Sequence, residues 1–560
     1  MFMPTHFSLR HVALAAASVW CASALAQAAD PAAVLRNIEQ SQPVQRAPSL
    51  ERAPAPSTTT DFSIRKLVGV RVDSSLLTDE VQAYWLPSLN KAVSANEISR
   101  FKAWVWEQLQ ASGYLAYVLT KEEKSPDGSV LVIQIKAPVL GKVTVVPLDI
   151  MPDDAGSKPY AALVGERFAA LFASGAAVDV QGITAQLNAI SYDLPVVLEA
   201  ALRQPDAESI DVAINMRMTP PEPGKLISGL VQANNYGLRA YGREQLLTQL
   251  RVNGETPASE VVLTGQLSEG IRYFKGEASA PWVGKRSRGM GWFTLVESKS
   301  LDNTASRVRG TTVDFGGGAH TLLNTTRNGT MTSAVELGRR ATDSNLMTGT
   351  TLTDRLDHQL RLRLMTQMTP AWTDNYSTEL GLHLGHIGIQ DTDDTDNRQV
   401  AGYYRKLEFN GQLRKTLSEN KKWVGAVRWR TQAAWDNLDG YNQLSLGGVN
   451  GIRAYTSADG VGDQGAQISF DLTHQITQHV FVGVLYDAGV IKQNIKAVGG
   501  SSPASYSLSG VGVQMGGDYG AWSWIATVAQ GLDKAEPFET AVNEVGLREW
   551  RGSVAINYRF

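Results

Sequence analysis

The strongest constraint on the fold comes from residues 225–560, where apolar and polar residues alternate in one segment after another. Leu360, Leu362 and Leu364, for example, alternate with Arg361 and Arg363. A period of two is typical of β-strands with one apolar and one polar face. Beyond the N-terminus there is no run of about 18 apolar residues, the length that a transmembrane helix needs. These residues therefore predict a large antiparallel sheet.

The final segment indicates what the apolar face contacts. Arg551 and Arg559 lie on its polar face. The other face is apolar and rich in aromatic side chains: Trp550, Val554, Ile556, Tyr558 and Phe560. A water-soluble sheet can also have one apolar face. Arginine on the polar face and aromatics at the end of the apolar face are more typical of a barrel with lipid outside and water inside.

The alternating segments number about sixteen, an even number typical of bacterial barrels. They lie near 226–236, 242–253, 258–268, 270–281, 289–300, 308–320, 328–341, 355–369, 375–387, 403–415, 421–434, 464–476, 478–490, 504–516, 520–531 and 547–560. The longest gap, 435–463, predicts a functional or disordered loop. We therefore predict a transmembrane β-barrel of about sixteen antiparallel strands over residues 225–560, with a long loop at 435–463.

The N-terminus has the pattern of a secretory signal, predicted over residues 1–28. Arg10 is followed by a short apolar segment, 12–20, and small residues at 24–28 offer cleavage sites. The chain's one cysteine, Cys21, follows Trp20 rather than a small residue, so no lipid anchor is expected. The mature chain would then lack thiols, which excludes disulfides, thiolate metal sites and cysteine nucleophiles.

Residues 29–219 divide into a helix, a linker and two similar modules. Asp30 and Pro31 fit the cap and first position of a helix predicted within 29–43. Residues 44–60, rich in Pro, Ser and Thr, predict a flexible linker. Two small α/β modules are predicted at 61–138 and 139–219, each with the order β, α, α, β, β. In the first module, Ser94 and Glu97 match a capping box.

Signals for catalysis or cofactor binding are weak. The net charge of −3 gives no reason to expect a nucleic acid partner. His383 and His386 would lie on opposite faces of a strand, which argues against a metal site. The sequence lacks a glycine-rich phosphate loop, a nucleophile elbow and a zinc signature. The expectation is a protein that is not an enzyme and uses no cofactor.

The long loop contains the most specific motif. Gly447 and Gly448 precede Ile452-Arg453-Ala454-Tyr455, and a Gly-Asp-Gln-Gly run follows at 462–465. This context resembles the two-partner secretion transporters, the TpsB family of the Omp85 superfamily, which includes haemolysin activators and the filamentous haemagglutinin transporter. That family carries Val-Arg-Gly-Tyr/Phe in its sixth extracellular loop. Ala454 departs from the family's glycine, and because alanine disfavours positive φ, the tip of the loop is expected to differ.

The resemblance implies that the loop folds back into the barrel and that its arginine pairs with an inward-facing aspartate. The matching strand is 481–487, where a period of two places Phe481, Gly483 and Asp487 on one face. Asp487 would then point into the lumen, within reach of Arg453, and Gly483 would leave room for a close approach. The alternatives are a solvent-exposed arginine and a lumenal carboxylate without a special partner.

The resemblance covers nearly the whole chain. It implies a signal peptide, a plug helix in the lumen, a linker, two periplasmic POTRA modules and a 16-stranded outer-membrane barrel. Tyr558 and Phe560 would form the C-terminal insertion signal for the barrel-assembly machinery. A disordered N-terminus is the alternative to the plug helix.

The implied function is export of an unfolded partner that docks on the POTRA modules. The partner would be a TpsA-type, β-helical protein: an adhesin, a haemolysin, a toxin or a surface enzyme. The competing functions are an insertase for other outer-membrane proteins and a passive channel or receptor. Two modules, an N-terminal helix and a proline-rich linker favour secretion over insertion.

Overall fold

The structure is a computed structural model that describes most of the chain from residue 62 onward. The described residues are 62–74, 77–111, 117–136, 139–147, 158–169, 180–192, 194, 196–203, 209–218, 227–254, 259–282, 286–301, 307–326, 328–370, 372–498, 504–533 and 549–560. The predicted signal (1–28), helix (29–43) and linker (44–60) lie outside the described residues. The chain divides into two compact units: one contains the α/β modules and the other contains the barrel.

The first module has a three-stranded sheet and two helices. Its elements are β1 (Leu67–Val72), α1 (Thr78–Trp85), a short 3-10 helix (Leu86–Ser88), α2 (Ala95–Ala111), β2 (Tyr117–Ser125) and β3 (Gly128–Lys136). The strand order is β1-β3-β2, with the central β3 parallel to β1 and antiparallel to β2. The order of strands and helices is the one that the sequence predicts, β, α, α, β, β.

Helix α2 begins at a capping box. The Ser94 backbone N–H donates to the Glu97 carboxylate at 2.7 Å, and the Glu97 N–H donates to Ser94 Oγ at 3.2 Å. The first of these bonds lowers the pKa of Glu97. The buried face of α2 is apolar at helical spacing: Ile98, Phe101, Val105 and Leu109. These side chains pack with Leu131 and Ile133 of β3, which joins the helix to the sheet in one core.

The second module repeats this plan. Its elements are β4 (Val139–Pro147), α3 (Lys158–Ala169), α4 (Val180–Ser191), β5 (Val196–Arg203) and β6 (Ser209–Met218). The strand order is β4-β6-β5, with β6 parallel to β4 and antiparallel to β5. The buried core of this second module includes Phe168, Leu187 and Leu198.

Within the described residues, sixteen strands close into a barrel. They are β7 (Ile227–Asn234), β8 (Gln245–Asn253), β9 (Glu260–Leu267), β10 (Ile271–Trp282), β11 (Ser287–Lys299), β12 (Val308–Thr326), β13 (Gly329–Leu346), β14 (Thr351–Met368), β15 (Asn375–Ile389), β16 (Gly402–Thr416), β17 (Trp423–Ala434), β20 (Gln464–Gln475), β21 (Val480–Lys492), β22 (Ser505–Tyr519), β23 (Trp522–Gly531) and β24 (Trp550–Arg559). Each strand is hydrogen-bonded to the next in this order, and β24 pairs with β7. The predicted number of strands is confirmed. Among the described helices, none is both long and apolar enough to cross a membrane.

Burial alternates along the barrel strands as the sequence predicts. On β21, Phe481, Leu485 and Asp487 are buried, whereas Val484 and Tyr486 on the other face are exposed. Exposed aromatic side chains lie near both ends of the strands: Trp372, Tyr403, Trp423, Trp435, Tyr519, Trp522, Trp550 and Tyr558. An apolar outer face bounded by aromatics is the surface that lipid requires of a barrel. The polar groups of this barrel therefore concentrate on its inner wall.

Candidate functional site

The candidate site is centred on residues 435–463, which connect β17 to β20 and are called the sixth loop below. Two short strands within it, β18 (Leu444–Ser445) and β19 (Val461–Gly462), pair with each other. Its motif residues Ile452 to Tyr455 are all buried. The three motif residues other than Arg453 pack with Leu485, Leu508 and Ala529, which belong to β21, β22 and β23. The sixth loop therefore lies against the inner wall of the barrel rather than in solvent.

Arg453 makes the densest set of polar contacts in the motif. Its Nε and Nη2 donate to the two carboxylate oxygens of Asp487, at 2.9 and 2.7 Å, and its backbone N–H donates at 3.0 Å. This two-pronged geometry is the strong form of an arginine–carboxylate pair. The Arg453 side chain is 6% exposed and that of Asp487 is fully buried. The structure thus brings the two residues together.

A second carboxylate completes the surroundings of Arg453, and the sequence reasoning missed it. Arg453 Nη1 donates to Asp471 Oδ1 of β20 at 2.6 Å, and Arg428 Nη2 donates to Asp471 Oδ2 at 3.1 Å. Two guanidinium groups and two carboxylates therefore balance each other, which offsets the cost of burying charge. Asp471 could have been found, because it has the inward parity of Ser469 and Thr473, which are both buried.

Ala454 and Tyr455 fit against small residues of the wall. Ala454 is not among the described residues with positive φ, so the alanine requires no left-handed backbone here. A Cβ atom built on Gly510 of β22 would lie 2.8 Å from the Ala454 Cβ, so glycine leaves space for the alanine. The Tyr455 hydroxyl donates to Asp533 at 3.1 Å, and Arg551 of β24 donates to the Tyr455 carbonyl.

The two glycines before the motif are required by the backbone. Gly448 has a φ of +106°, in the region that favours glycine. At Gly447, a Cβ would overlap the Thr456 carbonyl oxygen. Because Gly447 and Gly448 let the chain turn tightly on itself, they set the position of the arginine that follows.

Phe481 and Gly483 lie on the inner face of β21 with Asp487, as the period of two predicts. Phe481 packs with Tyr236, and Val449 at the tip of the sixth loop packs against the same cluster. A Cβ on Gly483 would meet the Leu472 carbonyl at 2.9 Å, so this glycine accommodates the neighbouring strand. Its close approach is therefore to β20 rather than to Arg453.

The C-terminal aromatics lie at the seam between the last and first strands. Phe560 and Gly229 exchange two backbone hydrogen bonds of 3.0 and 3.1 Å, and the Phe560 ring covers Gly229. Tyr558 packs on Trp522, with ring centroids 4.8 Å apart. The side chains of Tyr558 and Phe560 face outward, where they are 38% and 44% exposed.

Two further polar clusters hold the sixth loop. The sequence singled out the Gly-Asp-Gln-Gly run that contains Asp463 but not its contacts, and it gave no sign of the second cluster. Asp463 is fully buried and accepts hydrogen bonds from Gln443 at 2.8 Å and from the Ile495 N–H at 3.2 Å. Burial raises the pKa of Asp463 to about 6, against the opposing effect of Arg398 at 3.5 Å. On another part of the wall, Asp439 of the loop contacts Arg340 of β13 at 2.9 Å.

No group of three or more His, Cys, Asp or Glu side chains within the described residues is arranged to hold a metal ion. The site is instead a set of ion pairs and hydrogen bonds between one loop and the barrel wall. Such an arrangement can hold a polypeptide segment inside a pore and can release it when its partners are exchanged.

Residues 295–516 match the family model described as haemolysin secretion/activation protein ShlB/FhaC/HecB. No curated protein matches the sequence at a significant level. Among solved structures, CdiB from Escherichia coli is similar with a TM-score of 0.66 at 15% identity, over 91% of this chain and 93% of that one. CdiB from Acinetobacter baumannii is similar with a TM-score of 0.63 at 11% identity, over 92% and 95%.

At these identities the solved structures show the fold alone, and the family model indicates the kind of protein. The matched family is one of secretion proteins rather than of enzymes. The matched residues run from β11 to β22 and include the whole sixth loop and both carboxylates that Arg453 contacts. Over residues 295–516, which include the folded-in loop, the chain is thus similar to that family of secretion proteins, and its sixteen-stranded barrel has the fold of the two CdiB structures.

Proposed function

We propose that this transporter exports its secreted partner through the barrel, and that the sixth loop, held by Arg453, controls the bore. The single observation that carries the proposal is the burial of the Arg453 guanidinium between Asp487 and Asp471 on the inner wall. An arginine that only served solubility would lie at the rim, where ion pairs contribute little. A buried and fully paired arginine supports a sixth loop with two positions, one docked on the inner wall of the barrel and one displaced from it.

The two α/β modules are proposed to be POTRA modules that bind the unfolded partner in the periplasm. Their sheet orders leave β1 and β2 at the edges of one sheet and β4 and β5 at the edges of the other. An edge strand presents unpaired backbone groups, to which an extended polypeptide can add as a further strand. This mode of binding suits a β-rich partner, because the hydrogen bonds are made to the partner's backbone rather than to its side chains.

The predicted N-terminal helix, 29–43, is proposed to occupy the lumen before export, with 44–60 as its tether. Docking of the partner would then precede withdrawal of the helix. The partner is proposed to thread outward unfolded and to fold at the cell surface. Folding outside would make export directional without a nucleotide.

The first test replaces the arginine. In Arg453→Leu, Asp487 keeps its charge and loses its partner, a change that costs about 3–5 kcal/mol at buried pairs. We expect export of the secreted partner to fall at least about tenfold. Arg405→Leu is the matched control, because Arg405 lies at the rim with its side chain 61% exposed. Parental export by a folded Arg453→Leu barrel would refute the role of the loop.

The second test removes the modules. A chain lacking residues 62–218 should still form a membrane barrel that resists detergent at room temperature, but export should stop. Surface display of the partner and the levels of other outer-membrane proteins would be measured together. Continued export would refute the docking role, and a general loss of outer-membrane proteins would favour an insertase instead.

A further inference from the structure

The sixth loop contacts the barrel wall at a second, separate place. Arg340 of β13 donates from Nη2 to Asp357 of β14 at 2.6 Å and to Asp439 of the loop at 2.9 Å. All three side chains are nearly inaccessible to solvent. The guanidinium also lies over the Tyr441 ring, 3.8 Å from its centroid, which adds a cation–π contact. A loop carboxylate and a loop ring therefore hold the same wall arginine.

These residues share no member with the contacts of Arg453. The carboxylates that bind Arg453 lie on β20 and β21, whereas Arg340 and Asp357 lie on β13 and β14. Three strands, β15, β16 and β17, separate the two places along the wall. The polarity is also reversed, because the loop supplies the cation at one place and the anion at the other. Because no residue is shared, opening the contacts at one place does not by itself break a contact at the other.

The Arg453 contacts and the Arg340 contacts differ in how many hydrogen-bond partners the buried carboxylates keep when the loop moves away. Among the described residues, every hydrogen bond to the Asp487 carboxylate comes from Arg453, so opening strips that carboxylate of its partners. At the second place, Asp357 keeps Arg340 and also accepts from Tyr404 at 3.0 Å. Asp439 keeps the Asn442 amide of its own loop at 2.6 Å. Opening there separates two halves that each remain paired, which lowers the desolvation cost.

We propose that Arg340 is a positioning residue of the transporter: with Asp357 it forms a second, reversible anchor for the sixth loop, independent of Arg453. This inference goes beyond the proposed function, since it concerns where the loop rests before any partner arrives. The anchor holds the first half of the loop through Asp439 and Tyr441, while Arg453 holds the second half.

The test measures loop exposure without any partner. Ser445→Cys places a thiol in β18, between the two anchors in sequence, at a buried position. The purified full-length barrel in detergent is reacted with a water-soluble maleimide, and the labelling rate is recorded. Asp439→Asn removes the loop's charge and leaves the wall pair intact. We expect it to raise the labelling rate about tenfold, as expected for the loss of a hydrogen bond to a charged group.

Asp436→Asn is the matched control, since Asp436 contacts Lys496 and Arg405 at the rim. In this variant the thiol should be labelled at the parental rate. Asp439→Glu keeps the charge and should restore most of the protection. Tyr441→Leu leaves every charge in place and should raise labelling several-fold, which keeps the test informative if Asp439→Asn does not fold. Resistance to detergent at room temperature establishes folding of each variant.

The anchor is refuted if folded Asp439→Asn and Tyr441→Leu both label at the parental rate, or if the Asp436→Asn control rises equally. Because no partner is present, this outcome is separate from a failure of export. A transporter with normal labelling and no export would count against the proposed function alone.

Discussion

Ala454 and Gly510 provide a quantitative test of how the sixth loop fits the wall. In Gly510→Ala, the new Cβ would lie 2.8 Å from the Ala454 Cβ and 3.2 Å from the Gln530 carbonyl oxygen. Real Cβ atoms essentially never come within 3.0 Å of such neighbours, so the loop or the strand must shift. Overpacking of this kind costs about 1–3 kcal/mol. The docked loop should therefore be destabilised roughly 5- to 150-fold.

The reverse change tests the same contact from the loop side. Ala454→Gly removes a buried methyl group, worth about 0.8 kcal/mol. It also adds backbone freedom, worth about 0.5–1 kcal/mol. In the double variant, the methyl group introduced on β22 takes the space that the loop methyl leaves, so the two costs should not add. We expect the double variant to be more stable than the sum of the single changes by at least about 1 kcal/mol.

The assay is the labelling rate of Ser445→Cys in each background, which reports the equilibrium between docked and released loop. Gly552→Ala is the control, because a Cβ there meets nothing within 4 Å. Its rate should equal that of the parent. Additive effects of Gly510→Ala and Ala454→Gly would show that the two sites are independent, and the packing argument would fail.

Three further predictions follow from other parts of the molecule. The Glu97 pKa is lowered in the folded protein, so its stabilisation is present above its normal pKa and is lost as pH falls through the lowered value. Glu97→Gln should therefore speed hydrogen exchange in the first turn of α2 at pH 7, and this difference from the parent should shrink as the pH falls below the normal pKa of glutamate. A difference that does not change with pH would exclude the capping box. Phe560→Ala should lower the yield of detergent-resistant barrel while Tyr519→Ala, another exposed aromatic, should not; gel mobility with and without heating measures both. Tyr455→Phe should cost about 1 kcal/mol by removing the bond to Asp533, and an unchanged Ser445→Cys labelling rate would count against it.

Much of the barrel was predictable, because a period of two assigns each side chain to a face. Val484 and Tyr486 are exposed and Asp487 is buried, as the alternation on β21 predicts. The even strand count and the place of the long loop follow from the same pattern. Strand ends were less predictable: β14 begins at Thr351, earlier than the alternation starts at 355.

The anchor at Arg340 was not predictable, because alternation gives the face of a residue but not its neighbours across the lumen. Asp439 precedes the recognisable motif, and its sequence neighbours carry no signature. Its contact with Arg340 depends on strand tilt, on barrel diameter and on the path that the loop takes through the lumen. These are collective properties of sixteen strands, and no local window of sequence contains them.

The reciprocal bonds between Gly229 and Phe560 have a consequence for biogenesis. They join the first strand of the ring to the last, so the ring cannot be completed until all sixteen strands have been synthesised and have crossed the inner membrane. Until then, the first and last strands each have an edge of unpaired backbone N–H and C=O groups in an aqueous compartment. Such edges can pair with other chains and cause aggregation. The two end strands must therefore stay unpaired, with their edges protected from aggregation, until the last strand is in place.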